Sequence, residues 1–333
     1  MPISISVIIP TFNRPTKLAR ALSSCAIQTR SPYEILIVDN GDNHETKAIV
    51  DTAIEKYNFK IRYLRSEKFA HRAALKTGIE AATGEWLTIL DDDDFLVPDR
   101  IENDAISLEG IGNSVNLLVH DFIRIDYRNS QIWQHTMANK TLGLFEALTI
   151  DGFPPQAAVT FRTRSIQAHH SFHLKDGWMT EFDLYANMRP HGDLIRSGKV
   201  GYIMDDTRTA GRVTGSDISK HIQAVELHRE RFLETRHYLH DDQKEQVDPR
   251  LDQQQAFFCA KVLSYKAFFG DTAHFCRAHP KESIKGILAP LRSLASRYFS
   301  SILPEMRGSK TYTLKQYKKS NPSLSEYIVA SKL

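Results

Sequence analysis

The first hundred residues alternate between two hydrophobic periods, and that alternation restricts the chain to very few folds. "ISISVIIP" is a β-branched run closed by Pro10, and "YEILIVDNGDN", "KIRYLRS" and "EWLTIL" repeat the pattern downstream. Runs of this kind, bounded by turn residues, are strands. Between them the period changes. In "RPTKLARALSSCAIQ", Leu18, Leu22 and Ile27 fall at roughly helical spacing with Pro15 suited to a first turn, and "ETKAIVDTAIEKY" and "HRAALKTGIEAAT" are helical too. Strand, helix, strand at this spacing predicts right-handed crossovers and a parallel sheet with helices on both faces. Ligands on such sheets sit at the carboxyl ends of the strands. Polar residues gather there: Thr11 after the first run, Asp39 of "DNGD" after the second, and Asp91, Asp92, Asp93 and Asp94 after the fourth.

Four adjacent carboxylates repel one another, and an anion leaving water without a partner is costly. A solvated acidic turn is one answer. A divalent cation is the other, because hard ions such as Mg²⁺ and Mn²⁺ prefer clustered carboxylate oxygens. The acid follows six residues rich in buried types, and Asp39 makes a second acidic strand end; together they favour the cation. Composition adds exclusions. At 333 residues, 41% hydrophobic and 25% charged, the chain is neither disordered nor fibrous. A net charge of +3 gives no argument for nucleic acid. Cys25, Cys259 and Cys276 form no CxxC pair, so neither a zinc site nor a disulfide framework is expected, and the reducing cytosol is the default setting. The stretch from Ile3 to Pro10 runs straight into Thr11 and Arg14, unlike a signal peptide, and no apolar run approaches the ~20 residues that span a bilayer.

From about residue 115 the pattern is irregular. Strands are expected at "NLLVHDFIRID" and "QAAVTFRT", a helix in "GWMTEFDLYANMRPHGD" ending before Pro190, a short strand at "KVGYIMDD" and a loop at "TAGRVTGSDIS". Beyond residue 218 the periodicity is almost wholly helical.

"SVIIPTFNRP", "EILIVDNGD", "GIEAATGEWLTILDDDDFLVPDRI" and "GWMTEFDLYANMR", in this order and spacing, resemble the family 2 glycosyltransferases, inverting enzymes of the GT-A fold. The resemblance runs from about Ser4 to Ser219. It implies an α/β, Rossmann-like, mostly parallel sheet flanked by helices. It divides the chain into a catalytic domain at 1–217, with a nucleotide-binding half (1–100) and an acceptor-binding half (101–217), and a helical C-terminal region at 218–333. Pro10, Thr11 and Phe12 would line the nucleotide pocket, and Asp39 would accept from the imide N–H of a uracil or a similar base edge. Asp91-Asp92-Asp93 would be the DxD element, with Asp91 and Asp92 near the ribose and sugar and Asp93 the principal ligand, joined by Asp91, of Mn²⁺ or Mg²⁺. Asp94, Pro98, Asp99 and Arg100 would fix the next turn and helix start. The catalytic base falls in "TEFDLY", at Glu181 ahead of Asp183. The bland alternative makes both mere polar positions of a helix.

The implied function is transfer of a sugar, with inversion, from a nucleotide-diphosphate donor, UDP-linked by first choice. The acceptor would be a saccharide or lipid-linked saccharide in bacterial surface polysaccharide or glycolipid assembly. The chain departs from the family pattern in two places. Where members show Ala-Arg-Asn this chain has Ala74-Leu75-Lys76, leaving His71 and Arg72 one turn earlier as substitutes, and Thr214 stands where many carry a loop histidine. Arg208 and Arg212 are candidates for the diphosphate. Two rivals follow: a degenerate module that serves as a binding or scaffold protein, and a metal-dependent nucleotidyltransferase, which would want a Gly-rich phosphate loop that "PTFNRPTK" does not provide. Residues 281–333 hold ten Lys or Arg against three Glu, beside an apolar stripe from Ile284 to Leu303 broken by Pro290. That combination fits either a peripheral contact with the inner face of the membrane or packing on the catalytic domain.

Overall fold

A computed structural model of the chain describes residues 2–66, 71–138, 142–149, 154–169, 180–207, 229–230, 232–249, 251–252, 309–321 and 324. The expected alternation is present. Strands β1 (Ile5–Thr11), β2 (Glu34–Asp39), β3 (Ile61–Arg65) and β4 (Trp86–Ile89) are separated by helices α1 (Pro15–Ala26), α2 (His44–Lys56) and α3 (His71–Ala81). They pair in parallel in the order β3-β2-β1-β4. Every residue of β1, β2 and β4 is buried, which is why these strands are rich in Val, Ile and Leu on both faces. β3 lies at the edge and is only partly covered. Helix α1 buries Leu18, Ala21, Leu22 and Cys25 against this sheet. Burial pushes the Cys25 thiol up to about 12, so it is an inert core residue.

Helix α3 comes closest to the strands. A Cβ on Gly78 would stand 2.4 Å from Ile8 Cγ2 and 3.2 Å from Val38 Cγ2, so glycine there lets the helix backbone approach β1 and β2.

Beyond β4 the sheet becomes mixed. β5 (Phe95–Leu96) follows the aspartates directly, and helix α4 (Arg100–Leu108) leads to β6 (Val115–Asp126) and β7 (Gln131–His135). Helix α5 (Leu144–Thr149), strand β8 (Val159–Arg162), helix α6 (Thr163–His169), helix α7 (Thr180–Met188) and strand β9 (Asp193–Asp205) complete this half. β8 pairs antiparallel with both β4 and β6, welding the halves into one sheet, while β9 lies parallel to β6 and antiparallel to β5. The strand expected at "KVGYIMDD" begins six residues earlier, because its first half still pairs with β6 across register shifts.

A buried polar network in the mixed half reaches the parallel strands through Arg100, whose Nη2 donates to Thr88 Oγ1 of β4 at 3.2 Å. Arg100 is fully buried. It donates through Nε to both oxygens of Asp104 (3.0 and 3.1 Å), through Nη1 to the Ala157 carbonyl (2.8 Å) and through Nη2 to Thr160 Oγ1 (2.8 Å). His120 Nε2 lies 2.5 Å from Asp104 Oδ1. Burial, reinforced by the Arg100 charge, holds the His120 imidazole below its ordinary range despite Asp104. Arg100 thus reaches well past the helix start assigned to it from sequence.

The described C-terminal segments pack on this body. Leu239, Val247 and Leu251 join the main core, and Tyr317, on the helix Leu314–Ser320, joins a second cluster with Phe95, Ile123, Ile132 and Ile203. Within the tract expected to be helical, Ser309–Thr313 forms strand β10, paired antiparallel with β7. Among the described residues no helix is long and apolar enough to cross a membrane. The Ile284–Leu303 stripe, Arg208, Arg212, Thr214, Cys259 and Cys276 lie outside the described residues.

Candidate active site

In the strand order β3-β2-β1-β4, chain progression reverses between β1 and β4, and sheets of this kind hold their ligands in a crevice at the carboxyl ends of the two strands flanking such a reversal. Thr11 ends β1 and Asp91–Asp94 follow β4. Across the reversal Thr11 Oγ1 donates to Asp92 Oδ2 at 2.8 Å. Asp39 sits beside Thr11 in register at the end of β2. The three polar strand ends expected from sequence therefore meet at one place.

The four aspartates form a tight turn closed by Asp94 N donating to the Asp91 carbonyl at 3.1 Å. Their burial alternates: Asp92 and Asp94 are buried, Asp91 and Asp93 only partly. Asp94 points inward, accepting from the Tyr202 hydroxyl and from Asp205 N (2.9 Å). Burial and the charges of Asp93 and Asp91 hold its carboxyl well above the ordinary range. Asp92 is pushed up to about 7, by burial first and then by Asp93 and Asp91, with Arg14 and Thr11 acting against them. Asp91 Oδ1 accepts from Gln156 Nε2 at 3.1 Å, and Asp93 is the target of two cations from the start of α1. Arg14 Nη1 and Lys17 Nζ lie 3.0 and 3.2 Å from Asp93 Oδ2, and Arg14 Nη2 lies 2.9 Å from Asp92 Oδ1.

The β1–α1 and β2–α2 loops are locked together. Asn13 adopts φ 52°, which asparagine tolerates better than most residues, and its Oδ1 accepts from Asp42 N and Asn43 N at 2.9 and 3.0 Å. A Cβ on Gly41 would stand 2.3 Å from that oxygen, so the contact requires glycine. Asp39 is fully buried and already well supplied with donors: Gly41 N (2.8 Å) to Oδ1, and the Tyr63 hydroxyl (2.7 Å) and Arg65 Nη1 (3.1 Å) to Oδ2. Pro10 and Thr11 are buried, whereas Phe12 is 46% exposed and presents its ring to solvent. Arg72 lies on the buried face of α3 with Leu75, which shares that face and supplies no charge.

A family model described as "Glycosyl transferase family 2" matches residues 6–168. Those residues belong to glycosyltransferase family 2. An uncharacterised glycosyltransferase of Rickettsia conorii is 39% identical over 98 residues, 29% of this chain and 16% of that protein. A Bacillus subtilis relative is 36% identical over 106 residues, 32% of this chain and 38% of its own. The GalNAc(5)-diNAcBac-PP-undecaprenol β-1,3-glucosyltransferase of Campylobacter jejuni is 34% identical over 95 residues, 28% of this chain and 30% of its own. The chain thus spans well under half the length of these relatives. Among solved structures, S. aureus TarS 1–349 in complex with UDP is 18% identical with a TM-score of 0.54, covering 85% of this chain and 76% of that one. The TarS complex with UDP-GlcNAc gives 19% and 0.53, covering 79% and 73%. At such identity the likeness shows the fold, a GT-A-like mixed α/β sheet flanked by helices.

The family 2 match ends before α7. Glu181 and Asp183 both lie at the start of that helix, and their side chains fall outside the described residues. Four members of the crevice were not read from sequence. Arg14 and Lys17 carried a weak signal, being basic residues in the loop and first turn after β1, whose end neighbours the acidic end of β4 in the sheet. Gln156 and Tyr202 carried none.

Proposed function

We propose that the chain is an inverting glycosyltransferase that moves a sugar from a nucleotide-diphosphate donor, UDP-linked by first choice, to a hydroxyl of a saccharide or lipid-linked saccharide. The observation that carries this reading is the convergence of Thr11, Asp39 and Asp91–Asp93 at the reversal between β1 and β4. The residues present fit a divalent cation: Asp91 and Asp93 offer hard oxygen donors on the partly exposed side of the turn, with Asp92 and Asp94 buried behind them. Bound there, Mn²⁺ or Mg²⁺ would neutralise charge on the leaving nucleoside diphosphate. Pro10, Thr11 and Phe12 shape the nucleotide end, where the exposed Phe12 ring gives a base a surface to stack on. Asp39, its charge balanced by Arg65, faces the base edge, and Arg72 takes the place of the arginine missing at Leu75. Glu181 is the base that removes the acceptor's proton, with Asp183 as its alternate. Arg212 remains a candidate for the diphosphate. The UDP and UDP-GlcNAc complexes of TarS support the donor class, and the polyprenol-linked substrate in the Campylobacter relative's name supports a lipid-linked acceptor.

The test is donor turnover across a panel of nucleotide sugars with and without Mn²⁺. Asp93→Asn should abolish metal-dependent donor binding and leave the fold intact. Glu181→Gln should keep donor affinity and lower turnover by on the order of 10²–10⁴. A silent Glu181→Gln beside a strongly impaired Asp183→Asn would move the base by two residues. A wild-type protein that neither binds nor turns over any nucleotide sugar would favour the scaffold reading.

A further inference from the structure

We propose that Arg14 and Lys17 are a built-in counter-cation for the acidic turn. They neutralise Asp92 and Asp93 in the donor-free protein and swing onto the diphosphate when the donor binds with its divalent ion. The inference rests on the metal-and-diphosphate reading above and goes beyond it by assigning two residues a switchable partner.

Three ion pairs of 2.9–3.2 Å reach the turn, all from side chains at the start of α1. The acidic side of these pairs is fixed. Asp92 is anchored by Thr11, and the turn is closed on itself and tied to β9 through Asp94. The basic side borders solvent, the Arg14 and Lys17 side chains being 34% and 28% exposed on long, flexible stems. Asp93 Oδ2, the oxygen nearest to both cations, belongs to the residue best placed as metal ligand. Two basic groups and a divalent ion together would crowd four positive charges around Asp91 and Asp93. A diphosphate removes that conflict by supplying anionic oxygens next to the turn, within reach of the two side chains once they leave Asp93. The consequence is coupling: the two cations compete with a divalent ion alone, and cooperate with it when a diphosphate is present. The protein thereby resists loading with metal before its donor.

The test measures Mn²⁺ binding by the loss of the free-ion EPR signal, with and without UDP, and UDP binding by calorimetry. It compares the wild type, Arg14→Gln/Lys17→Gln and Arg14→Lys. With the two cations gone, Mn²⁺ alone should bind about tenfold more tightly than to the wild type, by relief of like-charge repulsion at a partly screened site. UDP affinity in the presence of Mn²⁺ should fall by about tenfold, while Arg14→Lys, which keeps the charge, should stay near the wild type for Mn²⁺ alone. If the double variant fails to fold, Lys17→Gln alone should show both changes in the same directions at about threefold. Equal Mn²⁺ affinity in wild type and variant, with UDP binding still dependent on Mn²⁺, overturns the exchange and leaves the metal reading standing. UDP binding that is indifferent to Mn²⁺ in the wild type overturns the metal reading and this inference with it.

Discussion

Glu34 shows how a single carboxylate can support the sheet from the end opposite the crevice. It is buried at the start of β2, and its Oε1 accepts from Ser6 Oγ (3.0 Å), Thr83 N (2.8 Å) and Thr83 Oγ1 (2.6 Å). Arg62 and Lys60 lie 3.1 and 3.2 Å from Oε2. Burial alone would raise its pKa, but the hydrogen bonds from Thr83, Arg62 and Ser6 outweigh it and pull the carboxyl down to about 2. The folded value is therefore below the unfolded one. The associated stability is complete above about pH 4.5 and disappears as pH falls toward 2, amounting to roughly 3 kcal/mol at most. Urea unfolding at pH 5 and pH 3 should show a larger loss for the wild type than for Glu34→Gln. Parallel losses in both proteins would refute the assignment. The aspartates at the other end act in the opposite sense, since burial and mutual repulsion raise Asp92 and Asp94. Stability is concentrated at the base of the sheet, and the electrostatic cost lies at the crevice.

At the scale of elements, α3 packs against β1 and β2 and carries Arg72, the proposed donor contact. Its approach depends on Gly78. Ala is the better helix former, and on an exposed face Gly78→Ala would stabilise by up to about 1 kcal/mol. Here the new methyl meets Ile8 Cγ2 at 2.4 Å, and the overpacking should dominate. The expected net effect is destabilisation by about 1–3 kcal/mol, with α3 displaced outward. Thermal unfolding checks the sign. A second readout is UDP affinity, which should fall if Arg72 shifts with the helix; an unchanged melting temperature would mean that β1 yields more easily than its full burial suggests.

At the scale of the whole molecule, β8 joins the parallel and mixed halves, and Arg100 ties the buried Asp104–His120 network to Thr88 of β4. Arg100→Leu would leave Asp104 with His120 and Thr160 but without its main counter-charge. Removing one partner of a buried pair typically costs about 3–5 kcal/mol, a large share of a domain's total stability. The same variant should raise the His120 pKa, because the Arg100 charge now adds to burial in depressing it. Chemical denaturation followed by histidine NMR titration measures both. A stability loss below 1 kcal/mol with an unmoved His120 would show that the network adds little to the joining of the halves.

The parallel unit β1–β4 and its polar strand ends were legible in the sequence because their causes are local. Fully buried strands demand unbroken β-branched runs, helices between them impose a 3.6-residue period, and the turn residues after each strand mark its carboxyl end. The acidic quartet was legible as a candidate site for the same reason, since four adjacent charges are a local anomaly. Which of the four face the crevice was not. The inward turn of Asp94 depends on Tyr202, 108 residues away, and the hold on Asp93 depends on Arg14, 79 residues away. The short strand β5, the early start of β9 and the addition of β10 to β7 were likewise decided by pairing partners distant in the chain, which leave no period in the strand itself. Local chemistry determined that the crevice would be acidic; only the folded sheet determined which aspartates are buried, which remain accessible and which cations reach them.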